Sequence, residues 1–192
     1  MNSALAYESC ATQFLKARDR SDIGACVVRA WAENLAKSTE VLEIGCGGGY
    51  PVTRELVAAD LRVWAIDSSA TLLRTFRKRF PEVVTGCEKL QDSSFFDRKF
   101  DAAIAVGVVF LLPEDEQLRL LKRVASVLHP QGQFLFTAPV ETGDWLDTNT
   151  GLQCRSIGVE RYRFELSALG FESIESFTDR GGNHYYSCKY RE

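Results

Sequence analysis

Glycines at alternate positions follow a short apolar segment near position 45, and they constrain the fold more than any other feature. The segment Val41–Gly49 reads VLEIGCGGG. Gly45, Gly47 and Gly49 permit a tight turn, and they let a ligand lie directly against the main chain, where a Cβ would block it. A strand that runs into such a turn and then into a helix predicts a nucleotide-type binding site.

Short β-rich segments alternate with amphipathic helical segments along the rest of the chain. We predict strands at residues 40–44, 62–66, 83–87, 100–106, 133–137, 171–178 and 184–190, and helices at 4–17, 23–35, 51–59, 70–80, 115–128 and 159–169. This alternation predicts a parallel sheet with helices on both faces, closed by a terminal hairpin. Since 192 residues contain no linker or repeat, we expect a single domain over residues 1–192, with a helical lid at 1–38 and a core at 39–192.

Composition narrows the class of partner. The net charge of −3 and the lack of a large basic segment argue against nucleic acid. The longest apolar run, Ala102–Leu112, is too short to span a bilayer, and no secretion signal precedes it. Six scattered cysteines without a C-x-x-C pair predict reduced thiols rather than disulfides or a metal site. We therefore expect a cytoplasmic protein without a membrane partner or a bound metal.

The pattern E-x-G-x-G-x-G of Glu43–Gly49 resembles motif I of the class I S-adenosylmethionine-dependent methyltransferases. A dinucleotide-binding G-x-G-x-x-G motif would instead need glycine at Tyr50. Phe100–Gly107 resembles motif IV of the same family, and the resemblance extends from Val41 through the terminal hairpin. It implies a doubly wound, mostly parallel seven-stranded sheet of the Rossmann-like methyltransferase type, with an antiparallel last strand.

The resemblance implies S-adenosylmethionine as the cofactor and S-adenosylhomocysteine as its product. Asp67 follows the second strand, where an acid of the family accepts both ribose hydroxyls. Glu43 either orders the glycine loop or approaches the cofactor's amino group, and Lys89 stands where the adenine-reading Asp of the family would be. Cys46 is expected to be a small loop residue rather than a nucleophile. The expected cofactor residues are Glu43, Gly45, Cys46, Gly47, Gly49, Asp67, Ser68, Leu90, Gln91 and Val106.

The acceptor is expected beyond the carboxyl ends of the parallel strands, where an antiparallel last strand would begin. His184 is there predicted to be a general base or a substrate contact, and the alternative is a hydrogen-bonded hairpin cap. Trp145 and Tyr185 are expected to form walls of the acceptor pocket, with Phe110 and Tyr7 as further candidates. Arg18 is either an anchor for a carboxylate or a surface ion.

Three functions remain open at this point. The short chain, with only an N-terminal lid of about 40 residues, favours a small-molecule methyltransferase acting as a monomer or homodimer. A protein or nucleic-acid methyltransferase is the second reading, although Val106–Val109 replaces the N/D-P-P-Y motif of the adenine- and glutamine-modifying members. The third is a non-catalytic protein that keeps the cofactor pocket for regulation.

Overall fold

The computed structural model describes residues 3–191, with side chains from residue 5 onward. Its helices are α1 (Ser3–Arg18), α2 (Ala25–Glu33), α3 (Val52–Ala58), α4 (Ala70–Arg79), α5 (Glu114–Val127) and α6 (Val159–Ala168). Its strands are β1 (Glu40–Ile44), β2 (Arg62–Asp67), β3 (Val84–Cys87), β4 (Phe100–Ala105), β5 (Leu128–Thr137), β6 (Thr142–Leu146), β7 (Gln153–Ile157), β8 (Phe171–Thr178) and β9 (His184–Tyr190). Within the described residues, no helix is both long and apolar enough to cross a bilayer.

Seven strands form one sheet in the order β3-β2-β1-β4-β5-β9-β8. The pairs among β1 to β5 are parallel, whereas β9 runs antiparallel to both β5 and β8. The predicted seven-stranded, mostly parallel sheet with an antiparallel last strand is therefore confirmed. Because crossover helices cover both faces, the central strands are apolar along their length rather than alternating.

The core consists of two clusters, one on each face of the sheet. Leu42 and Ile44 of β1 pack with Phe136 on one face. Val41 packs with Ile104 on the other. Successive side chains of a strand point to opposite faces, so the centre of the sheet is dry on both sides. Functional groups are consequently confined to the strand ends and the loops that follow them.

No strand was predicted between residues 138 and 158, and the structure differs there. Residues 142–146 form β6 and pair antiparallel with β7 in a separate two-stranded sheet. The segment TGDWL carries no apolar alternation, and its side chains are mostly exposed, so no strand pattern is visible in the sequence. This hairpin reaches over the carboxyl ends of the parallel strands and adds residues to the site.

The strand predicted at residues 133–137 begins earlier, at Leu128, and contains a bulge at residues 129–132. Leu128 pairs with Phe100, and the register then shifts before the pairing resumes at Gln133. Gln131 adopts a φ of 70°, in the left-handed region that is common in bulges and turns. Residues 129–132 therefore interrupt the pairing of β5 without ending the strand.

The N-terminal helix α1 packs against α4 and the glycine loop. The Glu8 carboxylate accepts hydrogen bonds from the Ser69 hydroxyl, the Thr71 hydroxyl (2.6 Å) and the Thr71 N–H (3.1 Å). Beyond the end of α1, Asp19 pairs with Arg79 at 2.6 Å. These contacts hold α1 over the site from both of its ends.

Candidate functional site

The glycine loop after β1 has a backbone conformation and packing that side chains would disrupt. Gly47 and Gly49 have φ values of 55° and 87°. A Cβ on Gly49 would lie 2.3 Å from the Phe80 ring, and one on Gly47 would lie 3.3 Å from the Phe14 ring. Glycine is required here because the loop is packed closely between α1 and the end of α4.

Asp67, the last residue of β2, fastens this loop to the next one. Its two carboxylate oxygens accept hydrogen bonds from the Gly47 N–H and the Ser69 N–H, both at 2.8 Å. Burial raises the pKa of Asp67, and these backbone hydrogen bonds oppose that rise. A carboxylate oxygen can accept more than one hydrogen bond, so Asp67 retains acceptor capacity toward the cavity that it lines.

Glu43 is buried beneath the loop. The Thr53 hydroxyl donates a hydrogen bond of 2.7 Å to its carboxylate. Burial, helped by the nearby charge of Asp67, raises the pKa of Glu43 to about 8. Glu43 lines a small cavity of about 50 Å³ together with Arg18 and Gly45. The small cavity is therefore lined by the carboxyl group of Glu43, which is mostly protonated at neutral pH, and by the guanidinium group of Arg18.

A main cavity of about 400 Å³ extends across the carboxyl ends of the parallel strands. Its lining includes Asp67 and the segment 88–91, which follows β3. It also includes Trp145 and Asp147 from the β6–β7 hairpin and Tyr185 from β9. Its volume lies within the roughly 300–1,000 Å³ of small-ligand sites.

Most of the predicted site residues meet at these two cavities. The main cavity is lined by Gly45, Gly47, Asp67, Ser68, Leu90, Gln91, Val106, Trp145 and Tyr185. Glu43 and Cys46 line the small cavity, while Gly49 packs against Phe80. Phe110 and Tyr7 also reach the main cavity. The ligand-binding roles of these residues stay predictions.

The Cys46 thiol does not have the surroundings of a nucleophile. Its Sγ is buried and contacts the carbonyl oxygen of Gly47 at 3.9 Å. Burial, with Glu43 and Asp67 nearby, raises the pKa of Cys46 well above its usual range. A neutral thiol is a poor nucleophile, which agrees with the expected role of a small loop residue.

His184 lies beside the main cavity rather than in its lining. It faces a neighbouring cavity of about 340 Å³, which shares Phe110 and Asn183 with the main one. Its ring meets the Tyr186 ring edge-on at 5.0 Å, and both ring nitrogens are buried without a hydrogen-bond partner among the described residues. Burial and the charge of Arg163 lower the pKa of His184. The ring is thus a neutral base without an orienting group, and its catalytic role stays a prediction.

Arg18 lies at the junction of the main and small cavities. Burial lowers its pKa, while Tyr185 and Asp179 oppose that effect. Of the two alternatives for Arg18, a guanidinium group facing the ligand cavities favours the carboxylate anchor over the surface ion.

Asp147 is the site residue that sequence reasoning missed. It follows β6, is 9% exposed and lines the main cavity. Its carboxylate accepts hydrogen bonds from the Tyr7 hydroxyl at 3.2 Å and from Thr150, through the N–H at 3.0 Å and the hydroxyl at 2.5 Å. The run Asp147–Thr150 is typical of a side-chain-capped turn, but only the unpredicted hairpin carries that turn to the cavity.

Comparison with known proteins identifies the family. Residues 41–132 match the family model described as a methyltransferase domain. These residues belong to the methyltransferase domain family. The family resemblance of motif I is thereby confirmed, and the matched part of the methyltransferase domain runs from β1 into the β5 bulge.

Two relatives in sequence each match about half of this chain. An uncharacterized methyltransferase, C70.08c of Schizosaccharomyces pombe, is 34% identical over 108 residues, which are 53% of this chain and 40% of the relative. A tRNA U34 carboxymethyltransferase of Idiomarina loihiensis is 28% identical over 116 residues, 55% of this chain and 34% of the relative. The chain thus spans less than half the length of these relatives.

A solved structure supports the fold over the length of this chain. The 1,6-didemethyltoxoflavin-N1-methyltransferase of Burkholderia thailandensis, with bound 1,6-didemethyltoxoflavin and S-adenosylhomocysteine, has a TM-score of 0.71. The alignment covers 100% of this chain and 92% of that one at 15% identity. The Rossmann-like methyltransferase fold is therefore confirmed.

Proposed function

We propose that this chain binds S-adenosylmethionine and transfers its methyl group to a small-molecule acceptor inside the main cavity. The observation that carries the proposal is the continuity of that cavity, whose lining includes Asp67 as well as Trp145 and Asp147. A site of this shape holds a nucleotide and an acceptor side by side. Helix α1 lies over it and contributes Tyr7 and Phe14 to the lining.

Three groups of residues in and beside this cavity suit the cofactor. Asp67 offers carboxylate oxygens to the ribose hydroxyls, and the 88–91 segment supplies backbone and side chains for the adenine. The glycine loop lets the cofactor lie against the main chain. Arg18 carries the charge that complements a carboxylate, and Glu43 complements an amino group once its carboxyl group has lost its proton, as the methionine part requires.

The reaction needs little covalent help from the protein. The sulfonium of the bound cofactor supplies an activated methyl group. The contribution of this chain is to hold the acceptor in line with that group and to exclude water, which is the task of α1 and the β6–β7 hairpin. We assign to His184 the role of a base at the neighbouring cavity.

A nucleic-acid acceptor is the second candidate, since some relatives are named as tRNA carboxymethyltransferases. An enzyme that acts on a base within RNA needs a cationic surface for the phosphates beside its pocket. Net charge here is −3, and α1 lies across the cavity. These features favour a small molecule over RNA, and over a protein side chain.

The test is methyl transfer from cofactor labelled in its methyl group. The full chain is incubated with a cell extract separated into small molecules, RNA and protein, and the Asp67→Asn variant serves as the control. We expect label in the small-molecule fraction with the wild type and far less with the variant. Label confined to RNA or protein would overturn the acceptor class. If no fraction became labelled, the result would favour a non-catalytic protein that keeps the cofactor pocket for regulation. Failure to bind S-adenosylhomocysteine would overturn the proposal altogether.

A further inference from the structure

The carboxylate of Asp147 is buried without a cation to balance it. Its hydrogen-bond donors, Tyr7, Thr150 and Asn149, are all neutral. Among residues 5–191, no lysine or arginine lies within ion-pair distance of Asp147, although 91% of this residue is shielded from solvent. A buried charge normally has an oppositely charged partner, so the unbalanced charge points to a cation that comes with the ligand.

Aromatic rings line the same cavity as Asp147. Phe110 and Trp145 lie 5.5 Å apart between ring centroids, with their planes inclined by 45°. Tyr185 lines the cavity as well, and Tyr7 reaches the carboxylate of Asp147 from α1. Rings of this kind accept flat molecules on their faces, and they attract cations through their π electrons.

We propose that the methyl acceptor is a flat aromatic compound with a protonated amine, whose cationic nitrogen is bound by Asp147 and whose ring packs on Trp145 and Phe110. The inference rests on the proposed function, since it names the acceptor class of the same cavity. In this proposal Asp147 selects the acceptor by charge. The hydrogen bond that Asp147 accepts from Tyr7 connects it to α1, the helix that covers the cavity.

Charge repulsion supports the same assignment. Of the cations that line the main cavity, Arg18 also lines the small cavity, where the proposed function assigns it to the carboxylate of the cofactor, and Lys89 lies in the segment that follows β3. An anionic acceptor packed on Trp145 would face the carboxylate of Asp147, which forms no ion pair with a lysine or arginine among residues 5–191, and like charges at close range in a shielded site repel strongly. Amines are expected to bind at least ten-fold more tightly than carboxylates of the same shape.

The probes are matched sets built on phenyl, indole and quinoline rings, each with an ethylamine, a neutral ethyl or an acetate substituent. Calorimetry first measures the affinity of the full chain for S-adenosylhomocysteine, and then the affinity of the loaded protein for each probe. The variants are Asp147→Asn and Trp145→Leu, with Asp144→Asn as the control. Asp144 lies on the same hairpin but pairs with Arg155 at 2.8 Å, away from the main cavity.

We expect the amines to bind best on at least one ring system and Asp147→Asn to reduce that preference at least ten-fold. Asp144→Asn should preserve it, Trp145→Leu should weaken all probes of that ring, and every variant should keep the affinity for S-adenosylhomocysteine. Equal binding of amines and carboxylates, binding of no probe, or a preference that survives in Asp147→Asn would overturn the inference. Failure of the wild type to bind S-adenosylhomocysteine would instead refute the proposed function.

Discussion

Cofactor binding is expected to release almost one proton from Glu43 at pH 7. The pKa of Glu43 in the free protein is about 8, so about 90% of these carboxyl groups are protonated at pH 7. A cationic amino group of the cofactor beside Glu43 stabilises the carboxylate and drives the proton off. The affinity for S-adenosylhomocysteine should therefore increase as the pH is raised toward 8, by up to about ten-fold per pH unit.

Calorimetry in two buffers of low and high ionisation enthalpy measures this release directly, because the heat absorbed by the buffer scales with the protons it receives. Glu43→Gln should bind without releasing the proton. Glu55→Gln is the matched control, since Arg29 and Arg54 hold the pKa of Glu55 below its usual range and it has no proton to lose. Release of no proton by the wild type would refute contact with the amino group and leave Glu43 as a support of the loop.

The same group makes folding stability depend on pH. The pKa of Glu43 is raised on folding, from 4.5 to about 8, so its stabilising contribution is complete below pH 4.5 and is lost as pH rises toward 8. The full difference corresponds to about 5 kcal/mol. Urea unfolding between pH 5 and 8 should show a smaller loss of stability in Glu43→Gln than in the wild type, and parallel curves for the two proteins would contradict the burial argument.

Three further substitutions separate binding, folding and catalysis. Asp67→Asn should weaken S-adenosylhomocysteine about 10- to 100-fold, as expected for a hydrogen bond to a charged group, whereas the exposed Asp60→Asn should leave calorimetric affinity unchanged. Gly49→Ala should lower the free energy of unfolding by about 2–5 kcal/mol, because alanine is strained at this positive φ and its Cβ would clash with the Phe80 ring. In Gly143→Ala the Cβ meets open space, so the free energy of unfolding should change by less than about 0.5 kcal/mol. Equal losses in the two variants would contradict the packing argument. His184→Gln should keep cofactor affinity and slow methyl transfer, and unchanged turnover would restrict His184 to packing.

The part of the site formed by the glycine loop and Asp67 was predictable because its signals are local. Glu43–Gly49 and Asp67 each occupy the end of a strand that is apolar on both faces, and parallel strand ends meet at one edge of a sheet. Knowing the strands was therefore enough to bring these residues together. The positive φ values of the loop and the buried position of Glu43 follow from the same local pattern.

The part of the site formed by Trp145 and Asp147 was less predictable because its contacts are tertiary. Residues 142–146 become a strand through pairing with β7, and five mostly exposed residues carry no sequence pattern that predicts this pairing. Asp147 depends on this hairpin for its position and on Tyr7, 140 positions away, for a hydrogen bond. Contacts between segments so far apart leave no periodic trace in the chain.

Topology alone predicted the position of the last strand but not which of its side chains would face the cavity. The start of β9 was expected at the cavity edge, and Tyr185 indeed lines the cavity. Successive side chains on a strand point to opposite faces, so His184 lies on the other side and packs edge-on against Tyr186 instead. Tyr185, whose hydroxyl donates to Asp179 at 3.2 Å, shares its face with Ile104. Choosing between neighbouring residues therefore required the strand's register, and that register is set by the pairing of β9 with β5 in the folded sheet.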